Sequence, residues 1–132
     1  MKGRLLVLLI AGMLVSGAVA YAHHSFAATY FEDKTVKIEG ALVQFLFRNP
    51  HSFVHVEVKD GSGQVTRLAV EWGGAGQLGG QGVTRESLKP GDQVVITGNP
   101  GRNAADHRLR MRTLLRPKDG FGWGQRPADV ID

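Results

Sequence analysis

Two alternating runs facing each other across a short turn constrain this chain more than any other feature. From Ser52 to Lys59, Val54, Val56 and Val58 fall on one side, with His51, Phe53, His55 and Glu57 on the other. From Val65 to Trp72, Leu68, Val70 and Trp72 oppose Arg67, Ala69 and Glu71. A period of two is that of a half-buried strand. Asp60-Gly61-Ser62-Gly63 between the runs is a hairpin signal. The pair therefore predicts an antiparallel hairpin with one apolar face that another layer must cover.

The rest of the pattern supplies that layer. A strand begins at Thr35, where Val36 and Ile38 alternate with Lys37 and Glu39, and it resumes past Gly40 through Leu42, Val43, Phe45, Leu46 and Phe47. A long strand interrupted by Gly predicts a bend or bulge, the device that curls a sheet. Arg48-Asn49-Pro50-His51 reads as a turn. Gln93 to Thr97 is a fourth strand, with Val94 and Ile96 on one face. Gly98 to Asp106 reads as a loop. His107 to Arg116 is the fifth strand, with Leu109, Met111, Thr113 and Leu115 opposite Arg108, Arg110, Arg112 and Arg116. Gly73 to Gly82 reads as a flexible connection, followed by one helical turn, Thr84 to Leu88, capped by Thr84. The expected fold is all-β: a five-stranded OB-like barrel with one short helix between strands three and four. A small open β-sandwich is the alternative, because short turns alone do not decide closure.

The chain starts with a positive segment, Met-Lys-Gly-Arg, an apolar run from Leu5 to Val15, and small residues ending Ala20-Tyr21-Ala22. That is the layout of a secretory signal peptide. The run is shorter than the ~20 residues that span a bilayer, and no Cys follows it to carry a lipid. Cleavage fits after Ala20 or, preferably, after Ala22. The expected organisation is a signal peptide at 1–22, a lead-in at 23–34, the barrel at 35–116 and a flexible tail at 117–132. The expected location is the periplasm or the medium, with no stable membrane anchor after processing. Loss of Lys2 and Arg4 leaves 14 basic against 12 acidic residues. That small surplus, with export, argues against a nucleic-acid partner. A mature domain of about 110 residues holds a core without staples, so any metal would serve function rather than folding.

Cleavage after Ala22 would make His23 the first residue, followed by His24. A free amine, an amide nitrogen and imidazoles are donors that suit Cu(II) in tetragonal geometry. A site of this kind needs a further ligand, and His51 and His55 are the candidates. These two share a strand face but lie ~13 Å apart at ~3.3 Å per residue, so one of them is expected to join His23 and His24. His51 could instead approach His107. After cleavage at Ala20, His23 would stand third and give a different copper chelate. The plainer reading is a solvated end, with His51 capping its turn and His55 on the surface. Asn49, Phe53 and Arg67 are candidates for binding an organic ligand, with Phe53 as an exposed platform.

Other patterns carry less. Gly74-Ala75-Gly76-Gln77-Leu78-Gly79 matches a dinucleotide fingerprint, but no βαβ unit surrounds it. Arg108, Arg110 and Arg112 form a row that reads either as a polyanion groove or as the charged face of an edge strand. Glu71 beside Trp72 would be an acid candidate if buried. No nucleophile–base–orienter set emerges, so an enzyme is not the expectation.

His23-His24-Ser25-Phe26-Ala27, Asn49-Pro50-His51, Val70-Glu71 and Gly91-Asp92-Gln93-Val94-Val95-Ile96-Thr97-Gly98 together resemble a group of small exported bacterial proteins defined as a domain of unknown function. The resemblance spans nearly the whole mature chain and implies export and a small β-barrel, with no established reaction or cofactor. The glycine-heavy stretch from Gly73 to Gly82 departs from the group's usual look. In strand order alone the chain is similar to other periplasmic OB proteins, including the haem chaperone of cytochrome c maturation, whose haem-attaching His motif is not apparent. The expected function is an exported binding protein for copper or another transition metal. The alternative is a metal-free module for an oligosaccharide, a peptide or an envelope protein.

Overall fold

Val36–Leu46 forms one strand of 11 residues, β1, and the barrel is built on its bend. The computed structural model describes residue 4 and residues 26–124. Apart from Arg4, the expected signal peptide and both expected cleavage points lie outside them, as do His23 and His24. The first half of β1 pairs antiparallel with β4 (Gln93–Pro100), from Val36↔Gly98 to Ala41↔Gln93. Its second half pairs with β2 (Phe53–Lys59), from Ala41↔Glu57 to Leu46↔Phe53. One strand thus serves two neighbours, and the chain must fold sharply where it changes partner. Gly40 sits at that point because a Cβ there would meet the Glu57 carbonyl oxygen at 2.1 Å. The register irregularity falls just beyond, between Leu42 and Gln44.

β2 pairs with β3 (Val65–Glu71) across the expected hairpin. The end of β3 then runs parallel to the start of β5 (Arg108–Arg116), from Ala69↔Arg108 to Glu71↔Arg110. β5 pairs antiparallel with β4. The circuit β1-β2-β3-β5-β4-β1 is therefore closed, and the parallel β3–β5 contact decides for a barrel over an open sandwich. Leu42, Val54, Val56, Val70, Ile96 and Leu114 fill its interior, each 2% exposed or less. Each such side chain contributes roughly 1.5–3 kcal/mol by leaving water.

Several local expectations change. The helix between β3 and β4 is α1, Ala75–Gly80, inside the glycine-rich stretch. Leu78, fully buried, docks it onto the barrel, and tertiary packing offsets the ~1 kcal/mol that each interior Gly costs a helix. Its first-turn N–H groups find acceptors in the β1–β2 loop: Ala75 donates to the Arg48 carbonyl and Gly76 to Asn49 Oδ1. Thr84–Ser87 is only a turn, closed by Thr84 N–H to Ser87 Oγ and Ser87 N–H to the Thr84 carbonyl.

In β5 the alternation breaks. Thr97 pairs with Thr113 but Gly98 with Met111, so Arg112 is looped out. Leu114 rather than Leu115 consequently enters the core. Asn99-Pro100, expected in a loop, belongs to β4, and buried Asn99 holds the lead-in by donating to the Lys34 carbonyl at 2.6 Å. Finally, Phe121–Trp123, assigned by sequence to the tail, pairs with β5 as β6 at Leu114–Arg116. Trp123 packs edge-on against Trp72, with ring centres 5.3 Å apart, and its Nε1 donates to Gln81 Oε1 at 2.8 Å.

Candidate functional site

Glu71 ends β3 where the strand meets β5, and there the barrel's partner strands turn it inward: it is 7% exposed. A carboxylate taken out of water must have its lone pairs engaged. Three chain segments do so. The lead-in supplies Tyr30, itself 1% exposed, whose hydroxyl donates to Oε2. β5 supplies Arg108, donating to the same oxygen at 2.9 Å. The β1–β2 loop supplies His51, whose Nδ1 lies 2.6 Å from Oε1. Burial, with the adjoining Glu71 carboxylate, pushes the Tyr30 hydroxyl far above its ordinary pKa. The group is thus a neutral donor at any ordinary pH.

The lead-in folds onto this cluster. Residues 26–29 form a helical turn, and Tyr30 makes an isolated bridge to Gly101. One turn sets Phe26 and Tyr30 on the same side, with ring centres 6.5 Å apart. The Phe26 ring then covers His51, with centres 5.5 Å apart. Arg110 lies on Phe26, its guanidinium carbon 3.9 Å from the ring centre. Its hydrogen-bonding partner among the described residues is Glu32, at 3.5 Å.

Beside His51 opens a cleft of about 270 Å³. Phe26, His51, Trp72, Gln77, Arg110 and Trp123 line it, with Gly73 and Gly74 at the strand-to-helix corner. Gly74 is required there, because a Cβ would meet the Pro50 carbonyl oxygen at 2.5 Å. Trp72 is 4% exposed, and its Nε1 has no hydrogen-bond partner among the described residues.

The sequence-derived candidates separate. His51 joins the Glu71 cluster. His55 does not: it lies along β2 opposite Ala69. Burial lowers its pKa below the ordinary imidazole value, and the charges of Arg67 and Arg48 lower it further. His107 lies in a different hollow, with Val36, Leu68 and Leu109. Phe53 is half-buried between Arg48 and Arg108, whose guanidinium carbons are 5.5 and 5.6 Å from its ring centre. Asn49 is committed to α1, and Arg67 pairs with Glu57 at 2.9 Å, toward the far end of the hairpin. The arginine row is divided too: Arg108 and Arg110 face carboxylates, while Arg112 is exposed. Among the described residues, no group of three or more His, Cys, Asp or Glu is placed to hold a metal by itself.

Tyr30, Trp72 and Trp123 are not candidates in the sequence, and Arg110 is one only as part of the arginine row. The spacing of Phe26 and Tyr30, four apart, was the one available sign of a helical turn. No curated protein matches the chain. Residues 11–110, most of the sequence, match DUF6152, a family of unknown function, and the chain belongs to that family.

Proposed function

We propose that this is an exported binding protein whose cargo is a transition metal, copper foremost, held by His51 together with His23 and His24. The observation that carries the reading is the 2.6 Å contact between Glu71 and His51 Nδ1. A carboxylate at one ring nitrogen fixes the tautomer and leaves Nε2 as the metal-binding atom, the arrangement in which ligating histidines are normally found. The packing of Phe26 on His51 supports it further, since His24 is two residues before Phe26 in the chain. His55 is a poorer third ligand than His51, because Arg67 and Arg48 put positive potential on it.

The test is Cu(II) titration of protein beginning at His23, with coordination read by electron paramagnetic resonance. Nitrogen-rich binding that weakens sharply in His51→Ala, and in protein carrying one extra residue before His23, is the expected result. Equal affinity in all three would eliminate the site.

A metal-free module is the second reading, favoured by Phe53 with its two flanking guanidinium groups. On that reading an oligosaccharide, a peptide or an envelope protein lies on the β2–β3 face, and binding is insensitive to chelator and to His23→Ala.

A further inference from the structure

We infer that the cleft beside His51 is a binding site for a small organic monocarboxylate with an apolar, planar body. The inference does not depend on the metal reading. Its walls are aromatic: Phe26 on the lead-in, Trp72 after β3 and Trp123 on β6. Its polar lining holds Glu71 and Gln77, and beside them two groups with donors to spare. Trp72 Nε1 is buried and unpartnered among the described residues, and an unmet buried donor is costly unless something accepts from it. Arg110 has five N–H donors on a planar fork suited to a carboxylate. Phe26 covers its face, while its one carboxylate contact among the described residues is a 3.5 Å approach by Glu32, whose side chain is 53% exposed.

The nearest buried anion does not cancel this demand. Both oxygens of Glu71 are already engaged, by His51 on one side and by Tyr30 and Arg108 on the other. A ligand carboxylate therefore fits at Arg110 in place of Glu32, with its body against the tryptophans.

The chain's two tryptophans both line this cleft, so intrinsic fluorescence reads its occupancy. The experiment titrates the purified protein with benzoate and, separately, with benzyl alcohol, in excess chelator so that metal binding plays no part. Saturable change with benzoate and none with benzyl alcohol is expected. Arg110→Met should weaken benzoate binding about tenfold or more, as loss of a charged hydrogen-bonding pair does. Glu32→Gln should tighten it severalfold by removing the competitor. Arg112→Met, a change at an exposed position outside the cleft, should leave it unchanged. No saturable response, equal responses to both compounds, or equal affinity in Arg110→Met would overturn the inference. If Arg110→Met does not fold, Glu32→Gln decides alone, and unchanged or weaker benzoate binding then counts against the site.

Discussion

Glu71 Oε1 lies 2.6 Å from His51 Nδ1, joining the end of β3 to the β1–β2 loop across 20 residues of sequence. The other oxygen of the same carboxylate receives Tyr30 and Arg108. One buried side chain therefore sets both the orientation of the imidazole and the seat of the lead-in. Glu71→Gln should accordingly weaken copper binding by about tenfold to a hundredfold, the usual effect of removing the group that orients a metal-ligating histidine. Competition against a chelator of known affinity measures it. Unchanged affinity would detach Glu71 from the proposed site.

Tyr30→Phe removes the hydroxyl alone. Arg108 stays on the same oxygen and the ring stays buried, so the barrel should fold. The loss of one buried hydrogen bond to a charged acceptor should lower stability by about 1.5–3 kcal/mol, read as a lower urea midpoint with unchanged slope. Because the hydroxyl ties the lead-in to the barrel, limited proteolysis should cut the variant near residues 26–34 faster than the parent.

The hairpin of β2 and β3 was legible because each strand keeps one face in the core and one toward solvent, so polarity alternates as the pleat does. The bent first strand and the helix between the third and fourth strands pointed to the barrel, but short turns left its closure open, which the β3–β5 contact decides. β5 was legible only to Met111, since the looped-out Arg112 shifts the phase and no residue pattern announces a bulge. α1 was hidden by its glycines, whose low propensity is overcome by Leu78 and by acceptors from the β1–β2 loop. Glu71 was noticed as an acid beside Trp72. Its partners were not foreseeable, because Tyr30, His51 and Arg108 come from three distant segments that only barrel closure brings together.

His55 should titrate below the ordinary imidazole range of about 6.5. Burial is the larger cause, followed by Arg67 and then Arg48. Arg67→Ala should therefore raise the midpoint only part of the way, since burial remains. Proton resonances of the imidazole followed against pH check it, and an unmoved midpoint would mean that Arg67 exerts no field there.

Gly40→Ala tests the bend in β1. The added Cβ would sit 2.1 Å from the Glu57 carbonyl oxygen, a backbone atom that cannot rotate away. The strands must separate where β1 changes partner, at a cost of about 3 kcal/mol. A thermal melt reads the loss. A melting temperature equal to the parent's would mean that the bend tolerates a side chain.

Acid should loosen the barrel at the turn before β4. Asp92 is subject to opposing effects: burial raises its pKa, while the Lys89 N–H, Arg116 and the charge of Lys118 lower it, and the net shift is downward. Arg116 reaches it at 2.7 Å and clamps Asp119 at 2.9 Å with its other nitrogen. Asp119 is shifted down as well, chiefly by that hydrogen bond. A carboxylate whose folded pKa lies below its unfolded one stabilises the fold fully above the unfolded value, about 3.9. That contribution is lost as pH falls through the folded value. The melting temperature should thus be flat across this effect near neutrality and drop below about pH 4. Asp92→Asn should be less stable than the parent at pH 7 and show a shallower drop in acid, so that the two curves converge at low pH. Parallel curves would place the acid sensitivity in other carboxylates.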